Sequence, residues 1–466
     1  MNRLGSRPKS TKMKVLVRIA FSALALALPA FAQNAAQLKQ ELRAKEAAAK
    51  KDPDALFEAG RWAAEKALAA DAKRIFQAVL KIEPDHEGAN LELGNALVEG
   101  KWLPAKEAEA LRKKAMAAEY AAKGLVEVAG VWVEKDQVED AKAGTFHHEN
   151  ELVTKEEKLA LLSGKVRHPE TGELIDAKHL EQATKRYFPI GADGRWVDEK
   201  EADTYHSDSK RPWVVRSSYC TVVSTLPLTK IQELRGEADR GVEKVQPLLA
   251  SNRPSPSNRP TILIAATESE FRELGTALGD GTDAAGSFLM REEASLKLPM
   301  QGEVRAAICE NHKEWGPRYV RHSAALAYAH GVSVDLGIDL PLWFLHGLGS
   351  YTSRFENDQD AGWFGKQHVQ KGGVRNLKGF FAGFAISGEM EPTAIAYNLF
   401  QAGLMLSFAA HGGDAKATAA LQEVTAALSG KKKGSPDKAI AKLQDALVEA
   451  EPKIVAYLQQ LIAKAP

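Results

Sequence analysis

The sequence predicts a mainly α-helical protein with a smaller α+β part, and three observations carry that expectation. Residues 34–50 are mostly alanine, lysine, glutamate and glutamine, and the chain beyond about residue 286 is again dominated by helix-forming runs. Short apolar pairs recur after glycine and lead into charged helical stretches, at Gly100-Lys101-Trp102, Gly130-Val131-Trp132, Gly172-Glu173-Leu174 and Gly194-Arg195-Trp196. From about Arg211 the texture turns β-branched, with Val214, Val215, Thr221, Val222 and Val223 in one run and TILIA from Thr261 in another.

The first 32 residues have the order of a secretory signal. Arg3, Arg7, Lys9, Lys12 and Lys14 precede the apolar run Ile19 to Ala30, and Ala30-Phe31-Ala32 sets small residues before a cut ahead of Gln33. The apolar run falls short of the roughly 20 residues that a permanent span needs. No later segment is expected to cross a membrane, so the reading is an exported protein, periplasmic or secreted. Lys and Arg total 62 against 61 Asp and Glu, and this near balance supplies no basic field for nucleic acid. Two cysteines, Cys220 and Cys309, leave two outcomes open. They form a disulfide in an oxidising compartment, or they are two buried thiols.

Residues 33–112 form a helical module. Gly60, Ala72, Phe76 and Pro84 fall in one unit, and Gly94 returns 34 residues after Gly60. This stretch resembles a tetratricopeptide repeat, in which small residues let two helices of a hairpin approach and Pro ends the second. Residues 113–210 carry the glycine-led repeats, each expected as a turn, a short strand and a short helix, with Trp or Leu as a packing anchor. Asn150-Glu151-Leu152 is a weaker copy, and Thr154 to Glu157 has capping-box spacing. Residues 211–466 follow, with strands near Val214, Val222 and Ile262, a helix from Leu228 to about Leu249, and a second capping box at Thr267 to Glu270. Asp280 and Asp283 do not fit a calcium loop. Lys431 to Gly434 read as a solvated basic loop, and His147, His148, His168 and His206 as scattered surface histidines.

The chemistry-bearing segment is YVRHSAALAYAHGVSVDLGIDLPLWFLHGLGSYTSRF, residues 319–355. It resembles the core of gluzincin-type, peptidase-MA-like zinc metallopeptidases, in which one helix carries H-E-x-x-H. A following helix there carries a Glu ligand in a phrase like P-x-W-x-x-E-G-x-A-x-Y. Two His at i and i+4 share a helical face and grip zinc, and the Glu between them activates water. On that pattern His322 takes the first ligand position, and Pro341, Trp343, Gly347 and Tyr351 keep the second phrase, with Gly349 at its Ala position. The resemblance implies a peptidase-like domain with a small sheet and a helical C-terminal subdomain over residues 211–466.

Three departures remove the chemistry. Ser323 stands where the general base belongs, and a hydroxyl is far too weak a base. Leu326 replaces the second His and offers no lone pair. His346 replaces the Glu ligand. The expectation is therefore an inactive homologue with a cleft at His322, Trp343, His346 and Tyr351, no zinc, and a peptide or protein partner. The alternative is a divergent metal-dependent hydrolase using a variant His322/His346 site. Cys309 with His312 is a further thiolate pair to be weighed, and Ser323, Ser350 and Ser353 lack a nucleophile-elbow context.

Overall fold

The computed structural model describes residues 28–191, 193–279, 286–290, 294–298, 302–374, 376–386, 390–429 and 435–465. Most of the expected signal, Asp280, Asp283 and the basic run at 431–434 lie outside the described residues. The protein is mainly helical with small sheets. It divides into two units after Leu125.

The first unit contains α1 (Leu28–Ala49), α2 (Pro53–Glu65), α3 (Ala69–Ile82), α4 (Glu87–Glu92), the hairpin β1 (Asn95–Val98) and β2 (Lys101–Pro104), and α5 (Ala105–Ala122). Asp52 starts α2 by accepting from the N–H groups of Asp54 and Ala55, with Pro53 at the first helical position. α2 and α3 close on each other where Gly60 meets Phe76. A Cβ at position 60 would come within 2.5 Å of that ring, so glycine is what admits the approach. Leu42, Leu56, Ala63, Ile75, Phe76 and Val79 form the core. α5 continues through residues 112 and 113, where the sequence placed a boundary.

The second unit opens with four hairpin-and-helix modules. These are β3 (Val126–Val128), β4 (Val131–Val133) and α6 (Val138–Lys142); β5 (Phe146–His148), β6 (Glu151–Val153) and α7 (Lys155–Leu162); β7 (Lys165–Arg167), β8 (Leu174–Asp176) and α8 (Leu180–Thr184); β9 (Tyr187–Ile190), β10 (Arg195–Asp198) and α9 (Glu199–His206). Each glycine-led pair of the sequence is the second strand of an antiparallel hairpin, and the first strand went unforeseen. Those first strands, such as Val-Glu-Val and Lys-Val-Arg, are too short to show a two-residue period; pairing makes them strands. Ala129 and Gly130 both take positive φ, 52° and 83°, as do Glu99 and Gly100 in the first unit. That matches the tight turn whose twist suits a hairpin. Thr154 and Glu157 form the reciprocal capping box. At the next expected box Thr267 caps Glu270, but the Glu270 carboxylate turns to the N–H of Ala266.

A five-stranded sheet follows, in the order β11 (Trp213–Arg216), β12 (Thr221–Ser224), β13 (Thr261–Ala265), β17 (Ala306–Glu310), β14 (Ser287–Leu289). β12, β13 and β17 run parallel, and both edge strands are antiparallel. Between them in the chain lie α10 (Leu228–Val245), α11 (Glu268–Leu278) and a small hairpin, β15 (Leu296–Leu298) and β16 (Gly302–Val304). Strand alternation divides the two faces. Ile262, Ile264 and Cys309 enter the main core with α10, while Leu263, Ala265 and Ile308 pack with Phe271 of α11.

The remainder is helical: α12 (Gly316–Leu336), α13 (Leu342–Arg354), α14 (Asp358–Gln370), α15 (Leu377–Gly383), α16 (Pro392–His411), α17 (Ala415–Leu428), α18 (Pro436–Glu449) and α19 (Glu451–Ala463). α12 lies on the sheet and against α10 and α13, and α13 lies on α16. Contrary to the sequence expectation, α16 is long and apolar enough to cross a membrane by length and composition; most of it is buried inside the protein. Its Leu399 to Ala409 face is core. Two of the histidines expected at the surface are also packed. His168 is 1% exposed and stacks on Phe188, and His206 stacks on Trp213.

Candidate functional site

α12 brings His322 to the crossing with α13, which carries His346. Their ring centroids lie 5.9 Å apart, and the side chains are 3% and 8% exposed. Room for the His322 ring comes from Gly349, one turn along α13 from His346. A Cβ there would come within 2.8 Å of three ring atoms. His322 bonds the Gly349 backbone and lies at hydrogen-bond limit, 3.5 Å, from the Ser353 hydroxyl. His346 Nδ1 is buried without a hydrogen-bond partner among the described residues.

Both imidazoles are neutral at physiological pH. Burial pushes His346 down to about 4, and the Arg354 guanidinium adds to the effect. His322 falls well below its ordinary value for the same reasons in the same order, with His346 contributing. Arg354 hydrogen-bonds Ser353 and lies over the Phe364 ring; burial lowers its own pKa to about 10.

Ser323 and Leu326 are locked into packing. The Ser323 hydroxyl bonds that of Ser287 on the edge strand β14, at 2.5 Å, and also meets the Cys309 thiol. Leu326, one turn beyond His322 on the same helix, is fully buried in the main core. His330 turns away to Arg305. Among the described residues no group of three or more His, Cys, Asp or Glu comes together as a metal cage.

The zinc that the sequence resemblance implies is not matched by these residues. Two imidazoles supply two donors where three protein ligands are needed. The general-base position is a hydroxyl already engaged. The Arg354 charge, which adds to burial in keeping both histidines unprotonated, opposes a dication by the same electrostatics.

The other two predicted cleft residues differ: Trp343, one turn before His346 on α13, packs on the same Phe381–Phe384 segment as that histidine, and Tyr351 does not. Trp343 is 2% exposed, edge-on to Phe344 and Phe381, with its indole N–H unpartnered among the described residues. Tyr351 faces away from the histidine pair. Its hydroxyl bonds His411 Nε2 at 2.6 Å, and Lys244 Nζ sits 4.5 Å from its ring centre.

Cys220 and Cys309 are free buried thiols, the second of the two outcomes the sequence left open. Strand register explains why. Cys220 adjoins Thr221, which aligns through Thr261 with Ala306, whereas Cys309 aligns through Ile264 with Ser224. The two are offset by roughly 13 Å along the strands and roughly 10 Å across them, far beyond disulfide reach. Nor does Cys309 form a thiolate with His312. Burial raises the thiol to about 12, and His312 Nδ1 accepts from the N–H groups of Glu314 and Trp315.

A cavity of about 210 Å³ that the sequence gave no sign of lies in the second unit, beside the hairpin modules. Phe188, Pro189, Pro212 and Trp213 make its apolar walls. Both of its arginines are matched, Arg216 with Glu157 and Arg167 with Glu151, and burial raises the pKa of the lining Glu173. No protein-family model matches the chain, and neither does any curated protein.

Proposed function

We propose that the chain is an exported, non-catalytic protein on a metallopeptidase-like scaffold, and that it binds peptide or protein partners at or beyond the cell envelope. The observation that carries this reading is the state of the α12–α13 crossing. His322 and His346 approach each other as the two halves of a zinc motif would, while Ser323 and Leu326, at the base and ligand positions, are bonded and buried. A parallel-cored sheet ahead of the two helices agrees with the lead-in of that scaffold. The close-packed α2–α3 pair supports a tetratricopeptide-like module in the first unit, and the aromatic cavity beside the hairpin modules supplies a place for an apolar side chain of a partner.

The test restores what is missing. Ser323→Glu, Leu326→His and His346→Glu together are expected to give one tightly held zinc per chain, read by elemental analysis, where the unaltered protein holds none. A folded triple variant that takes up no zinc would overturn the scaffold reading. The unpartnered His346 Nδ1 favours the second reading, a variant metal-dependent hydrolase. Stoichiometric metal in tag-free protein, lost with His322→Gln, would establish that reading instead.

A further inference from the structure

A second polar cleft opens on the far side of α13 from the histidine pair. It has a volume of about 340 Å³ and lies among α10, α13, α16, α19 and the turn into α14. Lys244 reaches into it from α10. Its ammonium donates to the Phe355 carbonyl and covers the Tyr351 ring, and it makes no ion pair with any described residue. The acids at the rim are engaged elsewhere, Glu356 by Arg321 and Asp358 by Lys464. Lys244 is thus the unmatched charge of the cleft.

Proton accounting adds a second donor. Ser407 and Tyr457 bond each other through their hydroxyls at 3.0 Å. Two O–H groups sharing one hydrogen bond leave one proton to give. Lys244 likewise keeps an N–H beyond the one it gives to Phe355. Phe355, Ala361 and Leu461 add apolar lining beside these donors.

We infer that this cleft binds a small organic carboxylate, anchored by the Lys244 ammonium and the Ser407–Tyr457 hydroxyl pair, with its apolar part against Phe355, Ala361 and Leu461. One unmatched positive charge suits a monoanion rather than a dianion. The carboxylate belongs either to a free organic acid or to the C-terminus of a peptide.

Proton linkage follows from the setting. Burial lowers Lys244 to about 8, with Glu356 opposing that shift and Arg321 reinforcing it. The other titratable groups of the cleft are Tyr351, Tyr457, His411 and Asp358. Burial raises both phenols, which stay neutral while Lys244 titrates. A bound carboxylate favours the ammonium, so affinity weakens as pH rises through 8, by about tenfold between pH 7 and pH 9.

The test is calorimetric titration of the whole protein with butyrate, hexanoate and benzoate, and with a leucine-ended tetrapeptide in free-acid and amidated forms. Saturable binding of the acids alone assigns a free organic acid. Binding of the free-acid peptide but not the amide assigns a C-terminus. In either case Lys244→Gln is expected to weaken binding at least tenfold and to abolish the pH dependence. Tyr457→Phe, which keeps the ring, should weaken it severalfold, and Lys244→Arg should retain most of it. Absence of saturable binding for every probe, or equal binding by folded Lys244→Gln, would overturn the inference.

Discussion

The imidazole of His322 lies against the Cα of Gly349, so close that a Cβ at position 349 would meet three ring atoms at 2.8 Å. The zinc-peptidase phrase that this segment resembles has alanine at that position. Here the ring has taken the methyl's place. Gly349→Ala is therefore expected to destabilise the second unit by about 1–3 kcal/mol, as overpacking of a filled core does. Urea unfolding measures it. A neutral effect would mean that the His322 ring has room to move aside.

Buried histidines such as His322, His346 and His368 make stability fall in mild acid. Burial is the first cause of the depression in each, and His346 and His368 are pushed down to about 4. A histidine whose folded pKa is depressed leaves the unfolded chain binding more protons between that value and about 6.5. Stability is then complete above about 6.5 and is lost as pH falls toward 4, by about 1.4 kcal/mol per pH unit for each such histidine. Urea titrations from pH 7 to pH 4.5 should show this slope, and His346→Gln should reduce it by one histidine's share. An unchanged slope would show that His346 takes up its proton within the folded protein.

Local signals were legible and long-range ones were not. Gly60 with Phe76, the Thr154–Glu157 capping box and the glycine-led second strands were readable because each depends on residues close together in the chain. The approach of His322 to His346 was legible through the motif spacing. Tyr351 was placed in the cleft because it keeps the motif phrase, and helix geometry takes it elsewhere. Five residues along a helix turn the side chain by about 140°, which carries Tyr351 away from His346 and over to His411 and Lys244. Lys244 itself gave no signal, since the rest of its cleft lies more than a hundred residues further along the chain.

The two thiols offer a direct check on the sheet register. Ellman's reagent should react slowly or not at all with the folded protein, because both cysteines are buried and burial raises both thiol pKa values. After denaturation without reductant, two thiols per chain should titrate, even in protein recovered from an oxidising compartment. Finding none would mean a bridge, and hence a strand alignment different from Ser224, Ile264 and Cys309 in one row.

Arg321, beside His322 on α12, holds the most consequential buried charge near the crossing. It is 7% exposed and pairs with Glu356 and with the buried Glu237, whose other partner, Arg240, is largely in solvent. The Nε–Glu237 contact, at 3.4 Å, is an ion pair without a formed hydrogen bond. Such a pair gains little over apolar residues of equal volume, yet removing Arg321 leaves the buried Glu237 with only the solvent-exposed Arg240 as a partner. Arg321→Ala is accordingly expected to cost about 3–5 kcal/mol, whereas Arg321→Met combined with Glu237→Leu should restore most of that loss. Equal destabilisation of the single and double variants would show that Arg321 acts through the packing of its alkyl chain. Recovery in the double variant would assign the cost to the stranded Glu237 carboxylate, and would show that the histidine crossing stands without the charged network beside it.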